Sequence, residues 1–293
     1  MKRKVACIGA ASGWGGRSMG CGLAPEVVRK AGLIDRLSAR GVQTEWKRTV
    51  ETPTNRECAS EKQIWDQVTD HAKRLSREVE AAMADALPLV IGGDHSVALG
   101  TWNGVRKALD AHSAEPLGLI WIDAHMDAHR PETSPSGNLH GMPVAALLGY
   151  GPSATARMIC DRPVIHPAHL VLIGVRSFEW QEQRLLDQLG VRVFMIEEVC
   201  ERGLGAVVEE AVQIVTRETL GFGLSFDLDA ADPTEAPGVS VPEANGLRTN
   251  EILKALALVK RGLRAVEIVE YNPLLDREEK TLKLLLSIID ALF

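Results

Sequence analysis

The run Leu117-Gly118-Leu119-Ile120-Trp121-Ile122-Asp123-Ala124-His125-Met126-Asp127 decides the fold. Six apolar residues without a polar break read as a strand covered on both faces, because a half-exposed strand would alternate. The strand then ends on three ionisable groups. Working outward, seven further β-type runs appear at 5–8, 42–46, 87–91, 170–173, 191–195, 221–226 and 265–269. Helical patterns separate them at 24–38, 61–86, 97–111, 181–189, 205–219, 249–260 and 279–292. Strands alternating with helices along the whole chain predict an α/β fold with a doubly wound, mainly parallel sheet. No Pro/Ser-rich linker, repeat or low-complexity tract interrupts the alternation, so 1–293 reads as one domain.

Three long loops remain, at 9–23, 128–141 and 230–248. Loops of that length are uncommon in compact domains and are usually functional. The net charge of -6 excludes the basic footprint of a nucleic-acid binder. Lys2-Arg3-Lys4 is the longest basic cluster, too short to hold an anionic membrane surface. The apolar run that follows it breaks at Gly13-Trp14-Gly15-Gly16, too early for a signal peptide or anchor. Cys7, Cys21, Cys58, Cys160 and Cys200 are scattered and odd in number, as in a cytoplasmic protein with reduced thiols.

Four strands end on something ionisable. They run into Asp94-His95, into Asp123, His125 and Asp127, into Asp227 and Asp229, and into Glu270. In an open parallel sheet the carboxyl ends of the strands share one edge, where ligands bind. These groups should therefore converge, and buried together they would repel one another unless cations neutralise them. Mixed carboxylate and imidazole donors suit first-row ions such as Mn²⁺. In extended geometry Asp123, His125 and Asp127 share one face, as do Asp227 and Asp229. Six ligands, including His95, exceed what one open ion needs and match two ions bridged by carboxylates, which activate water. Taken singly, Asp94 or Asp229 reads as a cap and His140 as a satisfied histidine. A two-metal phosphoesterase would also fit the strand ends, although no basic residue flanks these motifs to receive phosphate.

In order along the chain, GGDHS at 92–96, DAHMD at 123–127, SGNLHG at 136–141, SFDLDAADP at 225–233 and EIVEYNP at 267–273 resemble the ureohydrolases of the arginase/agmatinase family, arginase most closely. The resemblance covers nearly the whole chain. It implies a three-layer α/β/α fold with an eight-stranded sheet, two Mn²⁺ per chain and a homo-oligomer, trimer or hexamer. The implied reaction is hydrolysis of a guanidino group to urea and an amine, with L-arginine as substrate. By the same resemblance, His95, Asp123, Asp127 and Asp227 hold one ion and His125, Asp123, Asp227 and Asp229 the other. Asp127 would hydrogen-bond the nucleophile, His140 relay a proton to the leaving amine, and Glu270 pair with the guanidinium. Ser136 and Asn138 would grip an α-carboxylate.

Three residues at the amino-acid end depart from the arginase pattern: His129 in place of Asn, Glu179 in place of Asp with Glu182 close by, and Val241 in place of Thr. These departures keep open other guanidino acids, such as N-hydroxy-arginine or guanidinobutyrate, with agmatine and formimidoylglutamate lower. A catalytically silent regulatory subunit is disfavoured, because all six ligands, His140 and Glu270 are present.

Overall fold

The computed structural model describes residues 4–151, 163–259 and 261–293. Its centre is an eight-stranded sheet: β1 (Val5–Ala11), β2 (Thr44–Glu51), β3 (Leu87–Ile91), β4 (Gly118–Ile122), β5 (Leu170–Val175), β6 (Arg192–Met195), β7 (Phe222–Asp227) and β8 (Leu263–Val269). The spatial order is β2-β1-β3-β8-β7-β4-β5-β6 and every pairing is parallel. The order reverses around β3, β8, β7 and β4, the strands whose ends carry the ionisable residues, so the loops diverge there and leave a crevice.

Ten helices flank the sheet among the described residues: α1 (Ala24–Lys30), α2 (Leu33–Ala39), α3 (Glu61–Ala82), α4 (Ala98–Asp110), α5 (Pro143–Leu147), α6 (Trp180–Leu189), α7 (Ile196–Arg202), α8 (Leu204–Val215), α9 (Thr249–Leu256) and α10 (Lys280–Leu292). Successive strand residues feed opposite faces. Ile120 and Ile122 of β4 pack with Leu37, Val207, Ile252 and Leu285 from α2, α8, α9 and α10. Leu119 and Trp121 pack with Val79, Trp102, Val144 and Leu186 from α3 to α6. Three layers follow directly from continuous apolarity. Gly223 of β7 is required by this packing, since a Cβ there would overlap the Trp102 indole.

The differences from the sequence reading are local. The helix expected over 24–38 is two helices, broken where Gly32 takes φ +81°, a left-handed conformation that ends α1 at little cost. The strand expected at 42–46 lies further on, at Thr44–Glu51; it is the sheet edge and only partly buried, so its polar second half was not read as strand. Helix α7 follows β6 with no loop, and the sequence reading missed it. The 61–86 helix stops at Ala82. Cys7, Cys21, Cys58 and Cys200 are free thiols, while Cys160, Lys2, Arg3 and Lys260 lie outside the described residues. Among the described residues no helix is long and apolar enough to cross a membrane.

Candidate metal centre

Two tight turns, rather than strand alternation, place the carboxylates. Asp123 Oδ1 accepts the His125 N–H at 2.7 Å, and Asp227 Oδ1 accepts the Asp229 N–H at 2.8 Å. Each aspartate thus folds the chain back on itself in an Asx turn. The expectation of extended geometry through Asp127 and Asp229 is therefore corrected: β4 ends at Ile122, Asp127 takes φ +49°, and 228–230 form a single 3₁₀ turn. At β3 the chain passes Gly92 and Gly93, where the Ile268 carbonyl accepts from Gly92 N–H and the Gly93 carbonyl from Glu270 N–H. A Cβ on Gly93 would overlap the Ser12 carbonyl, so only glycine lets β1 approach this closely. Asp94 is a cap: it accepts from Ser96 N–H and Gly15 N–H, both at 3.0 Å.

The groups converge as the strand-end argument requires. His95 Nδ1 lies 3.1 Å from Asp123 Oδ2, 3.1 Å from Asp127 Oδ2 and 3.0 Å from Asp227 Oδ2. His125 Nδ1 lies 3.1 Å from Asp229 Oδ2 and 3.4 Å from Asp123 Oδ1. Two donor groups result, His95–Asp123–Asp227 and Asp123–His125–Asp229, sharing Asp123. All but His125 are buried.

Without cations this cluster is electrostatically frustrated. Burial, and then the neighbouring Asp229 and Asp123 carboxylates, push Asp227 well above the usual carboxylate range. Burial and Asp123 raise Asp127 to about 6. Burial disfavours a charged His95, yet Asp123, Asp127 and Asp227 together drive it well above the ordinary histidine value. Despite three close oxygens, His95 Nδ1 has no hydrogen-bond partner. The ligand atoms of His95, Asp123 and Asp227 all lie within 4.8 Å of one another. That arrangement fits divalent ions.

The tautomer of His95 is set from behind. Trp102 Nε1 donates to Glu267 Oε1 at 3.1 Å, Ser225 Oγ donates to the same oxygen at 2.9 Å, and His95 Nε2 lies 2.9 Å from Ser225 Oγ. Because Ser225 has given its proton to Glu267, it accepts one from His95 Nε2, leaving Nδ1 free as a ligand atom. The Trp121 indole stacks on the imidazole at 4.0 Å and donates to Asp123 Oδ2 at 2.9 Å. The sequence reading missed Ser225, Glu267, Trp102 and Trp121 as site residues. It also missed Arg176, whose guanidinium donates to the carbonyls of Asp229, Ala230, Glu243 and Ala244 and pins the loop after β7.

Above the cluster opens a cavity of about 410 Å³, lined by His95, His125, Asp127, Asp227 and Asp229 at its floor. His129, Ser136, Asn138, His140, Glu179 and Glu182 line its walls, so the residues expected at the amino-acid end all reach it. His129 Nε2 lies 2.8 Å from Glu179 Oε2 and 3.2 Å from Glu182 Oε2. Glu182 is already engaged by the N–H groups of Ala128 and Glu179, so it braces α6 against the 128–141 loop. Val241 lines the same cavity. Glu270 does not line it. Its Oε1 is 3.0 Å from His140 Nδ1 and accepts from His95 N–H at 2.8 Å, while Cys21 Sγ lies 3.4 Å from Oε2. In this geometry Glu270 supports His140. Burial pulls His140 down, but the Glu270 carboxylate more than offsets this and lifts it to about 9.

The "Arginase family" sequence model matches residues 3–293. The chain belongs to the arginase family. It is 35% identical to the Bacillus caldovelox arginase over 304 residues, with 99% of this chain and 98% of that one covered. It is also 35% identical to the Brevibacillus brevis arginase, covering 100% of this chain and 98% of the other. Among solved structures, the Bacillus cereus arginase superposes with a TM-score of 0.91 at 33% identity over 100% of this chain and 98% of that one. The Entamoeba histolytica arginase solved with L-ornithine gives 0.91 at 30%, covering 99% and 98%. This arginase-family chain is accordingly a metal-dependent ureohydrolase with the Asp/His groups of a two-metal enzyme.

Proposed function

We propose that the chain hydrolyses L-arginine to L-ornithine and urea, using two Mn²⁺ held by His95, Asp123, Asp127 and Asp227 and by His125, Asp123, Asp227 and Asp229. The observation that carries the reading is the pair of donor groups sharing Asp123 at the cavity floor, with His95 Nδ1 unpartnered and facing three carboxylates. When bound, the ions supply an activated water for attack on the guanidino carbon. Asp127, on the floor, would orient that nucleophile by accepting a hydrogen bond from it. His140 keeps Nδ1 on Glu270, which leaves Nε2 for the substrate side. Its raised pKa keeps it an imidazolium near neutral pH, ready to give a proton to the departing amine. Manganese as the loaded ion, one domain over 1–293, a trimeric or hexameric homo-oligomer and cytoplasmic residence belong to the same proposal.

A second reading, another guanidino acid, is favoured by one observation: His129 and Glu179 pair across the amino-acid wall, where arginases have Asn and Asp. Urea release from L-arginine, N-hydroxy-arginine, 4-guanidinobutyrate and agmatine decides between them. The proposal requires L-arginine to give the highest kcat/KM. A better rate with another of these would replace it by the second reading, and no urea from any would remove both.

A further inference from the structure

One group of metal donors lies apart from the cavity floor. His129, Glu179 and Glu182 each offer a ligand atom within 4.8 Å of the others, and all three line the cavity wall. His129 and Glu179 are two of the three departures from the arginase pattern, so that pattern does not supply this set. The imidazole is oriented from behind. Thr133 Oγ1 donates to the Arg130 carbonyl at 3.2 Å and accepts from Arg130 N–H at 2.9 Å, and His129 Nδ1 lies 3.2 Å from the same oxygen. With its own proton spent, that oxygen accepts from His129, so Nδ1 carries the hydrogen and Nε2 is turned to the two carboxylates. Glu182 is fixed as well: Oε1 accepts from Ala128 N–H at 2.9 Å and Oε2 from Glu179 N–H at 3.0 Å. His129 and Glu182 are both buried, whereas the Glu179 side chain is half exposed and free to adjust.

The separations suit a small cation. Nitrogen and oxygen donors at about 2.0–2.1 Å from a tetrahedral zinc ion stand about 3.3 Å apart. Nε2 is 3.2 Å from Glu182 Oε2 and 2.8 Å from Glu179 Oε2, the more mobile ligand. Two carboxylates balance the charge of one divalent ion, and the cavity side leaves a fourth position open. We propose that His129, Glu179 and Glu182 hold a third divalent cation, of zinc type, whose presence blocks the amino-acid end of the cavity. The site stands on this geometry alone; the blocking rests on the guanidino-hydrolase reading above. Zn²⁺ is favoured because Mn²⁺ stands at the bottom of the affinity order for such donors.

Protein loaded with Mn²⁺ and freed of excess is titrated with Zn²⁺, and both metals bound per chain are measured in wild type, His129→Asn and Glu179→Gln. Wild type should take up one Zn²⁺ while its Mn²⁺ stays bound, and zinc-edge anomalous scattering should place that ion against His129 Nε2. Each variant should keep its Mn²⁺ yet bind Zn²⁺ at least about tenfold more weakly, since losing even an outer partner of a ligand costs about tenfold to a hundredfold. At Zn²⁺ about ten times its Kd, the apparent KM of wild type for L-arginine should rise about tenfold with kcat within about twofold, and His129→Asn should escape most of this. No zinc uptake, zinc that merely replaces manganese, or variants that bind it like wild type overturns the site; His129 is then an imidazolium paired with both carboxylates. Zinc bound at the wall without a change in KM overturns the blocking. If wild type releases no urea from L-arginine, the functional reading fails, and the metal analysis still decides the site.

Discussion

Ser225→Ala isolates the support behind His95. The hydroxyl is the acceptor for His95 Nε2 and a donor to Glu267 Oε1, each at 2.9 Å, and all three side chains are buried. Removing it leaves an imidazole N–H with no partner, a cost of about 1–3 kcal/mol. Glu267 keeps the Trp102 N–H, so the carboxylate is not stranded. The unpaired Nε2 proton also loses the bond that holds Nδ1 as the lone-pair nitrogen. Loss of such an outer partner typically weakens metal binding about tenfold to a hundredfold. Denaturant unfolding of the metal-free protein measures the first effect, and Mn²⁺ titration against a competing chelator measures the second. Ser225→Ala binding Mn²⁺ within twofold of wild type would refute the tautomer argument. A stability loss without any change in metal affinity would reduce Ser225 to a packing residue.

His140→Asn should keep both metal ions and slow turnover by about 10²–10⁴, as loss of a general acid usually does; steady-state kinetics with parallel metal analysis checks this, and an unchanged kcat removes His140 from the mechanism. His71 of α3 is buried, its Nε2 lies 3.0 Å from the Val50 carbonyl, and burial lowers it from 6.5 to about 4. A depressed histidine is neutral in the folded state while the unfolded chain takes up a proton, so stability falls as pH drops from 6.5 to about 4. The contribution is about 3 kcal/mol, and His71→Gln, neutral throughout, should unfold less steeply with acid over that window. Parallel acid slopes for the two proteins would show that His71 does not titrate this way.

The layers were legible because continuous apolar runs leave no alternative to burial on both faces, as in Leu119 to Ile122. The metal-facing residues were legible because parallel strands must end on one edge. What failed was local geometry. Asp123 and Asp227 converge through Asx turns, which alternation along a strand does not describe. Ser225 and Glu267 carried a readable signal, a polar residue inside an otherwise apolar strand, and it went unused. Edge strand β2, with Glu, Lys and Arg along it, was placed too early and cut short because an edge need not be apolar.

Hydrolysis of a guanidino acid by this chain requires both ions of the site. Its most direct test is titration of the metal-free protein with Mn²⁺, following bound metal per chain and urea release from L-arginine together. Two ions should bind per chain, with activity reaching its plateau only as the second equivalent is filled. A plateau at one ion, or full activity in chelator-treated protein, would contradict it.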